Sequence, residues 1–484
     1  MMEQLKNSSP LKMSDLHPSK ESLRSYQWQT SVNVCKILFK YVDGFENIKD
    51  AEVLNHKPHR KLPDHQKTRF YPTRASVIEE ASVHGNLLIH DDVYTVQLEK
   101  EPENLNEYAI PSINDQLTNS RIRGAQSLRA KDVSAWERRE IFQLGFGMFH
   151  LVMNLIWALL QTHRGSIQQL GSLSHFFAIL EKVRLGSDRP DYHTLLAALT
   201  QILEGLTLNA WRTECAKDGH ATLNDFAQSD PTPEEVIKLA HTIIAKYAVP
   251  DENLPLTTTP KCKEAPLKSK QGNAAPLTCP QQGSDESSGT EEPYSDIELE
   301  SATTGSNPSG TQTDHVHSNV VLLTRDLFYI VELVDAILSG DFGRIEDILP
   351  DLACLFRGAG SNNYSTEILH LLFNVKEVWT PKFVNIMRDI MLVNPTGIPG
   401  HAMGIDLNIE HLIRYLKVSC SIIFVFVNYV NNGNTVGLIC GQRHLWKLGP
   451  AWKHIGSYQL LTINKKTGIR IAQKQLPRIN SQKG

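Results

Sequence analysis

The stretch SINDQLTNSRIRGAQSLRA (112–130) changes from an extended segment to a helix, and Asp115 stands at the change. The residues EYAIPSIND (107–115) predict a short strand that ends at Asp115. A carboxylate followed by a polar and then basic run is typical of a helix N-cap, because its oxygens accept unpaired N–H groups of the first turn. The alternative is that Asp115 is the first carboxylate of a metal-dependent nucleic-acid enzyme, which requires partner carboxylates elsewhere in the chain.

The bulk composition is that of a globular protein with room for two or three domains. The 484 residues are 41% hydrophobic and 21% charged, and the net charge is −4. Residues 251–314 contain 11 acidic and 4 basic side chains, so this segment carries −7 and the rest of the chain carries +3. The average charge indicates no polyanionic partner, but the chain outside the acidic segment is mildly basic.

Cysteine usage and hydropathy indicate where in the cell the protein is found. The seven cysteines are dispersed and form no Cys-x-x-Cys pair, which predicts reduced thiols in an intracellular protein. The first residues lack the apolar core of a signal peptide, and the apolar run IIFVFV (422–427) is far too short to span a bilayer. We therefore expect no membrane partner and an intracellular location, the nucleus included.

Helical patterns dominate beyond Asp115. FHLVMNLIWALL (149–160) is apolar almost all round, which predicts a buried helix. In DPTPEEVIKLAHTIIAKYAV (230–249), Thr232, Pro233 and Glu235 form the sequence signature of a capped helix start. Earlier in the chain, GNLLIHDDVYTVQLE (85–99) has β-branched residues around an Asp-Asp pair and predicts a hairpin.

Composition divides the chain into five parts. Residues 1–69 are polar and basic, and 251–314 are an acidic insert rich in Pro, Ser, Thr and Gly that we predict to be disordered, because it offers too little apolar surface to offset its ordering entropy. The ordered segments 70–250 and 315–417 are predicted to be two halves of one domain. Residues 418–484 form an atypical tail.

Two groups of basic residues could contact DNA or RNA. HKPHRKLPDHQKTRFYPTR (56–74) has six Lys or Arg, one acid, and the aromatic pair Phe70 and Tyr71. This composition suits an arm that follows phosphates and stacks on bases, and it equally suits a solvated linker. The second group follows Asp115 and comprises Arg121, Arg123, Arg129, Lys131, Arg138 and Arg139.

Seven short stretches in a fixed order resemble the eukaryotic domain-of-unknown-function family numbered 6589. They are ASVHGN (81–86), NDQLTNSRIRGAQSLRA (114–130), GMFHLVMN (147–154), GSL (171–173), GDFGRI (340–345), NY (363–364) and VNPTGIPGHAMGIDLNIEHL (393–412). The family is often met in transposon-rich genomes, and its separated acids resemble those of transposases. The resemblance therefore implies an α+β, mostly helical fold, with a ribonuclease-H-like core that carries large helical insertions.

The resemblance also suggests a site. Asp115 and Glu410 are its candidate catalytic carboxylates, and Asp115, Asp406, Glu410 and His150 are its candidate ligands for Mg²⁺ or Mn²⁺. Asp406 precedes Glu410 by four residues, so one helical face could present both. Where the family usually has Gly-Asp-Phe-His, this chain has Met148 in the second place. A thioether offers no oxygen to a hard cation, so we expect impaired catalysis.

Each candidate also has a structural interpretation. Asp406 could cap its own helix, Glu410 could pair with Arg414, and His150 could satisfy Asn154 one turn later. Three functions remain open at this point. They are a transposase-like nuclease fold with impaired or absent catalysis, a non-catalytic nucleic-acid-binding or adaptor protein, and a helical structural scaffold. The tail after residue 417 does not resemble the family, and no function is assigned to it.

Overall fold

A computed structural model describes residues 8–249 and 315–415. The segment predicted to be disordered, 251–314, and the tail 418–484 lie outside the described residues. The helices are α1 (Lys20–Tyr41), α2 (Val83–Asp91), α3 (Pro102–Leu105), α4 (Gln116–Leu128), α5 (Met148–His163), α6 (Leu173–Ile179), α7 (Tyr192–Lys217), α8 (Leu223–Gln228), α9 (Pro233–Tyr247), α10 (His315–Ser339), α11 (Phe342–Gly358), α12 (Asn362–Phe373), α13 (Pro381–Ile390) and α14 (405–415). The strands are β1 (Ile110–Asn114), β2 (Phe142–Phe146), β3 (Leu392–Val393) and β4 (Met403–Gly404).

Strands β1 and β2 are parallel neighbours joined by α4, which makes a β–α–β unit. Ile110 pairs with Phe142 at one end of the ladder and Asn114 pairs with Phe146 at the other. Both strands therefore end at the same edge, where β1 leads into Asp115 and β2 leads into Gly147. The predicted strand ending at Asp115 is confirmed, and this carboxyl edge positions the candidate site.

The main hydrophobic core draws on both sides of the acidic insert. Buried apolar side chains come from α1, α5, α7 and α9 before it and from α10, α11 and α12 after it. Polar contacts also join the two sides, since Asn33 of α1 donates a hydrogen bond to Glu332 of α10 over 3.0 Å. Glu332 in turn accepts two hydrogen bonds from the buried Arg344 of α11. The mostly helical α+β class is confirmed.

Helix α9 begins as predicted, but the predicted hairpin is wrong. Thr232 accepts a hydrogen bond from the Glu235 amide, and Glu235 accepts one from the Thr232 amide. Residues 85–99 instead form α2 and a π-helical turn, Asp92–Gln97. The helical path turns Tyr94 onto the rings of Trp136 and Phe142, with which it forms a small second core. That packing outweighs the β propensity of the local sequence.

Strands β3 and β4 pair antiparallel, and the loop of residues 394–402 joins them. Asn394 organises this loop, because its side-chain oxygen accepts hydrogen bonds from the amides of Thr396 and Gly397. Helix α14 follows β4 directly and carries Asp406 and Glu410. Across the described ranges, no helix combines the length and apolar character that crossing a bilayer requires.

Candidate active site at the carboxyl edge of β1 and β2

Asp115 is the N-cap of α4, as the sequence predicted. Its backbone is extended (φ −70°, ψ 167°), and its Oδ1 accepts a hydrogen bond from the Thr118 amide over 2.7 Å. Its other oxygen, Oδ2, accepts no hydrogen bond from the residues that the structure describes. The cap therefore occupies one oxygen of a half-buried carboxylate and leaves the second available.

Asp406 also caps a helix, but the helix is α5 and not its own. The N-cap residue of α5 is Gly147, which has no side chain to accept a hydrogen bond. Asp406 supplies the acceptors: Oδ1 accepts from the Phe149 amide over 3.1 Å, and Oδ2 accepts from the His150 amide over 3.0 Å. The expectation that Asp406 caps α14 is wrong, because α14 begins at residue 405, before Asp406.

Two glycines make room for this carboxylate. A Cβ atom on Gly147 would clash with Oδ2 of Asp406, and a Cβ atom on Gly404 would clash with Oδ1. Gly147 has an ordinary extended backbone (φ −73°, ψ 136°) that any residue can adopt. Glycine is therefore needed at position 147 for the approach of Asp406, not for backbone conformation.

His150 completes the contact with Asp406. Its Nδ1 lies 3.0 Å from Oδ2 of Asp406, and its side chain is 24% exposed. This hydrogen bond raises the pKa of His150 above its usual value, against the effect of burial, and the charges of Asp406, Asp115 and Glu410 act in the same direction. Burial favours a raised pKa for Asp406, but the hydrogen bonds from His150 and Phe149 outweigh it and lower that pKa.

The four candidates of the sequence analysis thus share one electrostatic neighbourhood. Asp115 follows β1, His150 belongs to the first turn of α5, and Asp406 and Glu410 lie on α14. Glu410 is exposed, and no ion pair joins it to Arg414 within the described chain. The Asn154 side chain donates to the backbone oxygen of His150 over 2.9 Å and leaves the imidazole to Asp406.

Met148 is fully buried in the main core. Its Cβ lies 3.0 Å from the point that a Cβ on Gly404 would occupy, and that point is 2.4 Å from Oδ1 of Asp406. In this chain, position 148 therefore contributes to packing rather than to the rim of the site. A carboxylate introduced there would be buried without solvent, which would destabilise the fold before it could serve a cation.

Sequence reasoning missed a buried polar network beside the cluster. Asn119 donates hydrogen bonds to the Gly145 backbone oxygen and to Oε2 of Glu367, each over 3.0 Å. Arg123, one turn further along α4, holds the same carboxylate with two N–H groups. The spacing of Asn119 and Arg123 places them on one helical face and was a usable signal. Glu367 comes from the distant α12, so local spacing could not indicate it.

Tyr364 is a second residue that sequence reasoning did not assign to the site. It lies on α12 and is 8% exposed. Burial raises the pKa of its phenol, and the charges of Asp115, Asp406 and Glu367 raise it further. The Tyr364 phenol therefore stays protonated at neutral pH, next to the acidic cluster.

The basic residues after Asp115 are largely paired within the fold. Arg123 holds Glu367, Arg139 holds Asp91, Arg129 holds Asp132, and Arg138 holds Glu140. Of the six, Arg121 and Lys131 have no such partner in the described ranges. This group therefore does not present a continuous face of free positive charge.

The side chains of this neighbourhood do not converge as a divalent cation requires. Among residues 8–249 and 315–415, no three His, Cys, Asp or Glu side chains converge closely enough to hold a metal ion. Three N–H groups already occupy the oxygens of Asp406. The donors do not fit an inner-sphere site as they stand, because divalent cations require several oxygens directed at one point.

Fold and site together define a mostly helical α+β domain with a carboxylate–histidine cluster at the end of a parallel β–α–β unit. The Family of unknown function (DUF6589) matches residues 5–421, and the chain belongs to this family. The match includes α1, which precedes the stretches that carried the resemblance. It ends at residue 421, so nearly all of the tail 418–484 lies outside it. Comparison with curated proteins and with solved structures finds no match.

Proposed function

We propose that this domain is a transposase-like nuclease fold of mobile-element origin, with a ribonuclease-H-like core, in which catalysis is impaired or absent. One observation carries the proposal. Asp115 and the α14 residues Asp406 and Glu410 come from separate parts of the chain, and all three lie within electrostatic reach of His150, at the carboxyl edge of a parallel strand pair. Such edges are where α/β folds commonly place their sites.

The impairment follows from how the carboxylates are used. Metal-dependent phosphoryl transfer needs carboxylate oxygens that are free to hold Mg²⁺ or Mn²⁺. The oxygens of Asp406 already accept hydrogen bonds from two α5 amides and from His150, so we assign Asp406 as a positioning residue. Asp115 and Glu410 remain as the candidate carboxylate ligands, and both act electrostatically on His150. Because these side chains do not form a preassembled ligand set in the described residues, any cation bound there would be held weakly.

Calorimetric titration with Mn²⁺ tests the proposal. We expect weak binding by the wild-type protein, loss of that binding in Asp115→Asn and in Glu410→Gln, and unchanged binding in the control Asp188→Asn, whose side chain is 95% exposed. Equal binding by all four proteins, or none by the wild type, would refute the cation site.

A strand-cleavage assay with Mg²⁺ or Mn²⁺ tests the impairment separately. We expect cleavage at or near the background rate. Fast cleavage that Asp115→Asn abolishes would show that catalysis is intact, and that part of the proposal would be wrong.

The second candidate function is a non-catalytic nucleic-acid-binding or adaptor protein. It is favoured by one observation, an exposed basic and aromatic stretch at residues 67–74. If the protein binds neither cation nor nucleic acid, the helical scaffold is the function that remains.

A further inference from the structure

The extended segment 56–74 is attached to the body of the protein at its start by Asp341. The His59 amide donates to Oδ2 of Asp341 over 2.8 Å, and the Arg60 amide donates to Oδ1 over 2.7 Å. Leu62 then donates to the Gly340 backbone oxygen over 2.8 Å. A Cβ atom on Gly343 would lie 2.8 Å from the Arg60 nitrogen. Gly343, the second glycine of GDFGRI, therefore permits the close approach of the segment to α11.

Two further attachments hold the segment along its length. Thr68 and Asn394 exchange hydrogen bonds of 2.9 Å, from the Thr68 amide to the Asn394 backbone oxygen and from the Asn394 amide to Thr68 Oγ1. The Arg74 amide donates to Oε1 of Gln97 over 2.8 Å. The backbone is therefore held in position while the side chains between these points remain directed outward.

The six basic residues of the segment fall into two groups. The first three are bound within the fold: Lys57 lies 3.6 Å above the Trp28 ring, Arg60 pairs with Asp389, and Lys61 pairs with Asp64. The last three are Lys67, Arg69 and Arg74. They are exposed, and their charged groups have no ion pair or hydrogen bond to any residue in the described ranges.

Exposed aromatic rings lie between these unpaired charges. Tyr71 is 83% exposed and Phe70 is 39% exposed. The backbone beside these rings is held in place, yet the rings stay in water. They therefore lack the stabilisation that burial would give. Cationic side chains alternating with open aromatic faces are the arrangement by which proteins hold single-stranded nucleic acid.

We propose that KTRFYPTR (67–74) is a docking surface for single-stranded nucleic acid. Lys67, Arg69 and Arg74 contact backbone phosphates, and Tyr71 and Phe70 stack on unpaired bases. The ligand is a single strand because the faces of bases in a duplex are already stacked on one another. This inference rests on the proposed function, since it names the surface that would hold the nucleic acid.

The docking surface and the acidic cluster are attached to the same hairpin. Thr68 is bonded to Asn394, the residue that directly follows β3, and β4 ends two residues before Asp406. A strand bound along residues 67–74 would therefore lie beside the hairpin that leads into α14, the helix that carries Asp406 and Glu410.

Fluorescence anisotropy with the full chain and a labelled oligo(dT) tests this surface. The titrations are run in EDTA at several salt concentrations with an oligonucleotide of about 20 nucleotides, longer than one typical site. The triple variant K67A/R69A/R74A should lower the slope of log K against log salt by about 2, because each phosphate contact on a single strand contributes about 0.7. Tyr71→Ala should weaken binding by about 5- to 100-fold through lost stacking.

The control is K20A/K49A/K238A, which removes the same charge from three other exposed lysines. It should bind within about twofold of the wild type if the effect is local. An equal loss in the control, tighter binding of a duplex with no effect of Tyr71→Ala, or tighter binding of the acidic peptide SDESSGTEEPYSDIELE (284–300) would overturn the proposal. Because EDTA removes cations, failure of this surface and failure of the Mn²⁺ site are separate results.

Discussion

Asp406 stabilises the start of a helix that lies 256 residues earlier in the chain. Its carboxylate serves the first-turn amides of α5 and the imidazole of His150 at once. The positive end of the α5 dipole and the hydrogen bonds both favour the ionised carboxylate, although the side chain is largely buried. Asp406, a candidate metal ligand in the sequence analysis, thus has a structural role that accounts for its position.

The contact between Gly147 and Asp406 can be measured with a double-mutant cycle. We expect Asp406→Ala to lower the free energy of unfolding by about 2–4 kcal/mol, because it removes the cap and leaves buried N–H groups unpaired. Gly147→Ala should cost about 1–3 kcal/mol in the wild type through its clash with the carboxylate. In the Asp406→Ala background the clashes with Oδ2 and Cγ are gone and only the Cβ of residue 406, 2.7 Å away, remains, so the cost should fall to about 0.5–1.5 kcal/mol. Urea unfolding of the four proteins gives the coupling energy.

Gly205 offers a matched control, because a Cβ atom there would meet nothing within 4 Å. Gly205→Ala lies inside α7 and should stabilise the protein by about 0.5–1 kcal/mol, with no coupling to Asp406. Additive behaviour of Gly147→Ala and Asp406→Ala would contradict the role assigned to the glycine.

Single residues also mark where prediction from sequence stops. The role of Asp115 as a cap follows from the few residues around it, because its hydrogen-bond partner is three positions away. The partners of Asp406 lie in another part of the chain, so its local spacing predicted the wrong helix. Only the family resemblance suggested that the four site candidates lie close together. Glu367 and Tyr364 also lie there, and no sequence pattern predicted them.

Among the elements, the α2 segment and the strand pair β1–β2 meet at His90. Its ring stacks on Phe142 with centroids 4.0 Å apart, and its buried Nδ1 has no hydrogen-bond partner among residues 8–249 and 315–415. Burial, followed by the charge of Arg139, lowers the pKa of His90 to about 4. The folded protein therefore holds this imidazole neutral over a pH range in which the unfolded chain protonates it.

We predict that stability falls as pH decreases from about 6.5, the pKa of an unfolded histidine, to about 4. Over this range the unfolded state binds a proton that the folded state does not, so His90 should account for about 1–3 kcal/mol of the loss. His90→Phe preserves the stacking and should remove this part of the pH dependence, as measured by urea unfolding at several pH values. His84→Phe, at an exposed position of the same helix, should leave the pH profile unchanged; a flatter profile there would argue against His90 as the source.

Element prediction succeeded where the local signal and the packing agree. Helix α9 has its cap, its proline and its apolar face within 15 residues, and nothing in the tertiary structure opposes them. Residues 85–99 have β-branched residues that favour strands, but Tyr94 gains an aromatic cluster only on the helical path. The partner ring of Trp136 lies 42 positions away, beyond what a local pattern can report.

At the scale of the whole molecule, the two sides of the acidic insert share one core. Asn33 reaches Glu332, Arg123 reaches Glu367, and His163 lies 2.7 Å from Asp326 across this division. Several buried polar groups on each side therefore have their partners on the other side. Sequence composition located the insert but could not show which helices pack together, because those contacts join residues 150 to 300 positions apart.

We predict that residues 1–249 and 315–421, produced as separate chains, do not fold alone. Mixed together they should associate in equal amounts and unfold in a single transition, because each supplies half of the core and the charges that the other buries. Size-exclusion chromatography and thermal unfolding of each chain and of the mixture measure this. Cooperative unfolding of either chain by itself would show that the core is not shared.

The cap that Asp406 provides to α5 has a consequence for how the protein is made. The ribosome releases α5 long before it adds residue 406, and at about 5–20 residues per second the delay is roughly 10–50 s. During that interval the apolar α5 lacks its cap, and it also lacks its packing partner α10 until residues 315–339 have been made. The nascent chain therefore carries an incompletely covered hydrophobic helix while residues 164–314 are made, which makes it a natural client for ribosome-associated chaperones.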